Sequence, residues 1–142
     1  MKTIVVSVAA LALVGCTATT PKKQAAPFVP TAFVVESDKG YIEKSLNDVR
    51  SKLKDPDSAR FYGVHMTKRD LGQENPNVCG YVNSKNSYGG YVGKTRFLSG
   101  NGFVALWEDR PGPYGSVDNL VIRNNCTLKS GEKAPSNSIE WK

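Results

Sequence analysis

Residues 38–54 constrain this chain most, because their apolar side chains repeat with the spacing of a helix. Ile42, Leu46, Val49 and Leu53 fall at i, i+4, i+7 and i+11, a single stripe along one face. Ser37 or Asp38 can cap the N-terminus, and Lys52 and Lys54 complement the negative end of the helix dipole. Asp55-Pro56 ends the pattern, since a residue before proline avoids the helical region. Residues 56–59 then read as one tight turn with Asp55 as its cap. The stripe has to be covered, and a sheet of the same chain is the expected cover; the alternative is a partner's surface.

From residue 60 the period shortens to two. Residues 60–67 carry Phe61, Tyr62 and Val64, and in 78–83 Val78, Gly80 and Val82 oppose Cys79 and Tyr81. Residues 91–98 put Tyr91, Gly93, Thr95 and Phe97 on one face, and Phe103, Ala105 and Trp107 share a face of the next strand. Residues 117–123, with Leu120, Val121 and Ile122, read as a fifth strand. Ser99-Gly100-Asn101-Gly102 signals a hairpin, because Asn and Gly tolerate positive φ. Residues 110–115 are a loop by their prolines and glycines. The expected fold is α+β, one N-terminal amphipathic helix packed on an antiparallel sheet of about five strands. The tail, 129–142, is polar, with Trp141 as an apolar residue able to pin it.

The N-terminus points to export. Lys2 precedes an eleven-residue apolar run, 4–14, the build of a secretory signal peptide. A membrane-spanning helix needs about 20 such residues. Leu13-Val14-Gly15-Cys16 resembles the lipobox of bacterial lipoproteins. That resemblance implies cleavage before Cys16 and acylation of its thiol. The alternatives are a free signal peptide cut near Ala18 and an uncleaved anchor. Two or three acyl chains hold a membrane stably where one does not. Thr17, standing where an aspartate often marks inner-membrane retention in lipoproteins, implies the periplasmic face of the outer membrane. The expected organisation is therefore a signal peptide at 1–15, the acylated cysteine and a flexible tether at 16–36, a globular domain at 37–128 and the polar tail. Phe28-Val29-Pro30 and Phe33-Val34-Val35 are too apolar for a plain spacer and dock either on the domain or on a partner.

With Cys16 acylated, Cys79 and Cys126 remain as an even pair in an oxidising compartment, and a disulfide follows. The alternative is two buried thiols on neighbouring strands. Together with the sole histidine, His65, they fall short of the four ligands of a zinc site, so no metal or other cofactor is expected.

The phrases Leu53-Lys54-Asp55-Pro56-Asp57-Ser58-Ala59-Arg60-Phe61 and Val78-Cys79-Gly80-Tyr81-Val82-Asn83-Ser84-Lys85-Asn86-Ser87-Tyr88-Gly89-Gly90-Tyr91 resemble small bacterial and prophage-associated exported proteins. Those proteins share "LKDPxSAxF" and "VCGxVNxKNxxGGYxGxxxF" patterns. The resemblance spans 42–108 and implies export and a shared fold, with no activity attached.

Removal of 1–15 leaves 18 basic and 13 acidic residues, a net +5. Spread along the chain, this charge reads as a solvated surface, or as attraction to anionic lipid, lipopolysaccharide or an acidic partner. Export and the lack of any recognition motif argue against nucleic acid. Catalytic patterns fail one by one. Gly89-Gly90-Tyr91-Val92-Gly93 leads into a strand pattern, where a phosphate cradle would open a helix. His65 is far in sequence from Cys79, Asp55 and Asp57 belong to a turn, and Glu108-Asp109 sit at a strand end.

What remains is contact. Asn83 to Asn86 reverse the chain, and Gly89, Gly90 and Gly93 permit a bend or close packing by the helix. Lys85, Asn86 and Tyr88 at this hairpin tip are the candidate partner contacts. Tyr81, Tyr88, Tyr91 and Trp107 could form an aromatic platform, although alternation groups Tyr91 with Phe97 in the core. The expected function is a lipid-anchored periplasmic module, non-enzymatic, that binds a protein or envelope assembly. The alternative is an inhibitor of a periplasmic hydrolase such as lysozyme.

Overall fold

The computed structural model describes residues 27–69, 72–109, 112, 116–134 and 141. The signal peptide, Cys16 and most of the tether lie outside the described residues. The elements are β1 (Ala32–Val34), α1 (Lys39–Arg50), a single 3-10 turn (Pro56–Ser58), β2 (Arg60–Arg69), β3 (Asn77–Asn83), β4 (Thr95–Gly100), β5 (Phe103–Leu106) and α2 (Val117–Cys126). All five strands form one antiparallel sheet in sequential order, β1-β2-β3-β4-β5.

Alternation along the strands divides the side chains between two faces. On the first, Phe61, Met66, Val78, Val82 and Phe97 pack under Ile42, Leu46 and Val49 of α1. Burying each of these large apolar side chains contributes about 1.5–3 kcal/mol. Asp38 caps α1 by accepting the Tyr41 N–H at 2.9 Å. The helix ends at Arg50, three residues before the stripe does, and Leu53 still packs against the core from the turn that follows. Asp55 caps the 3-10 turn by accepting the Ser58 N–H at 3.2 Å, as its position before Pro56 implies. Gly80 is where the backbone needs glycine for space. A Cβ there would stand 3.0 Å from both the Phe97 ring and the Tyr62 carbonyl. Asn101 and Gly102 take the two positive φ values of the β4–β5 turn, 54° and 76°.

On the second face Cys79, Leu98 and Ala105 lie under Ile122 of α2, and the Cys79–Cys126 disulfide ties helix to sheet. This helix corrects the sequence reading of 117–123 as a strand. Leu120-Val121-Ile122 is a short apolar run, and periodicity alone does not separate a strand from a helix there. The decisive signals are local. Ser116 accepts the Asn119 N–H as the N-cap, and Asp118 occupies the first turn. The described residues therefore form two α-helices, one on each face of the sheet.

α2 crosses its face diagonally and closes both edges of the sheet. At β5, Asp118 accepts the Leu106 N–H at 3.3 Å, while Asn119 accepts the Glu108 N–H and donates to the Glu108 carbonyl, both at 2.8 Å. At the far end Thr67 Oγ1 donates to the Asn125 carbonyl at 2.8 Å. Beyond the helix, Leu128 bridges Ala32, and the Lys129 N–H donates to the Ala32 carbonyl at 2.8 Å. Open edges invite pairing with other chains, so these side chains and this returning segment act as covers. The segment read as tether thus contributes a strand: Ala32 is fully buried, and Phe33 and Val34 pair with Lys68 and Thr67. The tail is pinned at Trp141, whose carbonyl accepts the Phe61 N–H at 3.1 Å.

Candidate interaction surface

The α2 helix leaves the corner of its sheet face where β2 and β4 begin open to solvent, with Tyr81 exposed there. A single row of side chains crosses that corner. Tyr62 pairs with Tyr81, and Tyr81 with Arg96. Trp107 follows β5 in the same row, its N–H donating to the Arg96 carbonyl at 2.9 Å. Four positions at the usual strand spacing of about 4.8 Å make a strip about 14 Å long.

Cations lie on the rings. The Lys94 ammonium sits 4.1 Å from the Tyr62 ring centre, and the Arg96 guanidinium 5.4 Å from that of Trp107. Such contacts contribute about 0.5–2 kcal/mol each and hold the long side chains flat. Tyr81, between them, is 43% exposed. The ion pairs found among the described residues, Lys39–Glu43 and Lys44–Asp48, lie on α1 and leave Lys94 and Arg96 without a carboxylate.

His65 stands one rung away, opposite Cys79. It is buried, its Nδ1 is 2.7 Å from the Gly63 carbonyl, and its Nε2 has no protein partner. Burial pushes its pKa below the ordinary 6.5, the hydrogen bond to Gly63 opposes that shift, and the Arg96 charge adds to it. The sulfur opposite it is bound in a disulfide, so this histidine activates no thiol nucleophile.

The lowered pKa has a consequence for stability. The unfolded chain takes up a proton near pH 6.5 that the folded chain refuses until lower pH. The histidine's contribution is therefore full above 6.5 and is lost as pH falls from 6.5 through the native pKa. Urea midpoints at about pH 7.5 and about pH 5 should differ less for His65→Gln than for the wild type. An equal difference in both would assign the acid sensitivity to other groups.

Of the aromatic residues singled out by sequence, Tyr81 and Trp107 belong to the row, and Tyr88 and Tyr91 do not. Tyr91 is not in the core with Phe97, because β4 begins only at Thr95, after Gly93 turns the chain at φ 98°. It is 43% exposed, flanked by the Arg60 guanidinium at 5.0 Å and the Lys85 ammonium at 5.7 Å. Lys85, Asn86 and Tyr88 share one turn, closed by the Lys85–Tyr91 bridge. Asn86 Oδ1 holds that turn by accepting the Tyr88 and Gly90 N–H groups at 2.9 and 3.1 Å. Lys85 is half-buried and Tyr88 is 96% exposed. Gly89 and Gly93 serve the bend, since nothing packs within 4 Å of either. Tyr62 and Arg96 were missed as members of a surface; both sit at outward positions of strands, but only the cross-strand register brings them into line.

Among the described residues no group of three His, Cys, Asp or Glu side chains converges on a metal-sized site. No described helix is long and apolar enough to cross a membrane. The fold and this surface define an α+β domain with a two-helix cover and an aromatic, cationic corner. No family model, curated protein or solved structure matches the chain.

Proposed function

We propose that the chain is a lipid-anchored, non-enzymatic binding module of the bacterial envelope, and that its contact surface is the Tyr62–Tyr81–Arg96–Trp107 row. The observation that carries this reading is the composition of the sheet corner that α2 leaves open beside Trp107. Tyr, Trp and Arg dominate the residues that supply binding energy at protein interfaces. Here they form a flat strip with two cations that no carboxylate among the described residues neutralises. That charge suits an acidic partner and opposes a basic one such as lysozyme. The anchor rests on Leu13-Val14-Gly15-Cys16, and the absence of aspartate at Thr17 favours the outer membrane's periplasmic face.

Labelled palmitate should enter the wild type and not Cys16→Ala. Cross-linking in intact envelopes should capture one specific partner with the wild type. Capture should fall at least about tenfold for Tyr81→Ala with Trp107→Ala, as two interface anchors of this kind are worth more than 1.4 kcal/mol. Undiminished capture by that variant would move the interface elsewhere.

A further inference from the structure

The α1 face holds a concave site, on the opposite side of the sheet from the flat aromatic row. Where α1 ends, the chain from Ser51 onward and the turn carrying Lys85 stand apart over the sheet, leaving an open cleft of about 220 Å³. Leu53, Val82 and Leu106 give it an apolar floor, and Lys52, Lys54 and Lys85 stand around it. Among the described residues no carboxylate lines the cleft, and the ion pairs found there use none of these lysines.

We infer that this cleft binds a small amphiphilic anion, a short acyl chain ending in a carboxylate. Three lysines lining one hollow raise its potential, and the ligand that lowers the energy most brings a negative charge to the rim. The floor asks for the opposite chemistry, because Val82 and Leu106 project methyl groups into it. An apolar chain alone would leave the lysines unneutralised, and a small hydrophilic anion alone would leave the floor wet. The volume corresponds to about seven water molecules, so a chain of about six to ten carbons fills it. Lys85 connects this cleft to the sequence: the turn that Asn86 holds and the glycines bend is what brings that lysine to the rim.

The test uses the full chain with Cys16→Ser, which removes the expected acylation site, and octanoate as probe. Methyl chemical shifts of Leu53, Val82 and Leu106 should move in a saturable way on addition of octanoate. Octanol and acetate should each bind at least tenfold more weakly, and Lys52→Gln/Lys54→Gln/Lys85→Gln should weaken octanoate at least tenfold. Lys52 and Lys54 are exposed and Lys85 is half-buried, so Lys52→Gln/Lys54→Gln is measured beside the triple variant, and an amide spectrum that otherwise matches the parent keeps a loss of binding distinct from a loss of fold. Octanol binding as tightly as octanoate, unchanged affinity in the triple variant, or shifts confined to other methyls would each overturn the assignment.

Discussion

Cys79→Ala combined with Cys126→Ala is expected to lower unfolding free energy by up to about 4 kcal/mol, the chain-entropy value for the 47-residue span that the bond closes. For a domain of this size that is a fall in Tm of about 15 °C or more. The reason lies in the position of the bond as well as its span. Cys79 is buried in the middle strand, and Cys126 ends the helix that covers the second face. That face has a small core of Leu98, Ala105 and Ile122, so much of α2's attachment rests on the covalent link. Urea unfolding of oxidised wild type, reduced wild type and the double variant measures it. The last two should agree and lie well below the first. Coincident curves for all three would mean that α2 is held by packing alone.

The second large effect belongs to the other face. Phe97→Ala should cost about 3–5 kcal/mol, the usual loss for a fully buried aromatic ring. Phe97 has no exposed surface, meets Phe61 edge to face with ring centres 5.6 Å apart, and covers Gly80. The cavity would open at the centre of the α1–sheet core, where both sides are strands and cannot collapse easily. Since whole domains are stable by only about 5–15 kcal/mol, Phe97→Leu offers a milder companion whose midpoint should fall between the two. A wild-type urea midpoint in Phe97→Ala would contradict the packing described.

Much of the fold is legible in the sequence where one local rule decides the outcome. The stripe of Ile42, Leu46 and Val49, the Asp55-Pro56 stop and the Asn101-Gly102 turn each carry their own physics. α2 was not legible because its middle is three apolar residues in a row, and its helix is declared only by Ser116 and by what it covers. Ala32 to Val34 looked like tether because three residues cannot show a period. The interaction surface was half legible. Tyr81 and Trp107 stood out by type, but their alignment with Tyr62 and Arg96 depends on register, which includes the irregularity between Tyr62 and His65 in β2. Tyr91 misled because the alternation appeared to run on past Gly93.

The placement of α2 gives the disulfide a reach beyond its own energy. One short segment, from Asp118 to Lys129, seals the sheet at β5 and at β1, and a single sulfur–sulfur bond fastens it. Lateral self-recognition of the sheet is thereby linked to redox chemistry. Where thiols stay reduced, only hydrogen bonds and the small core around Ile122 hold that segment over the two strand edges. Where they oxidise, one bond fastens the contacts that cover Leu106 and Glu108 at one edge and Ala32 at the other.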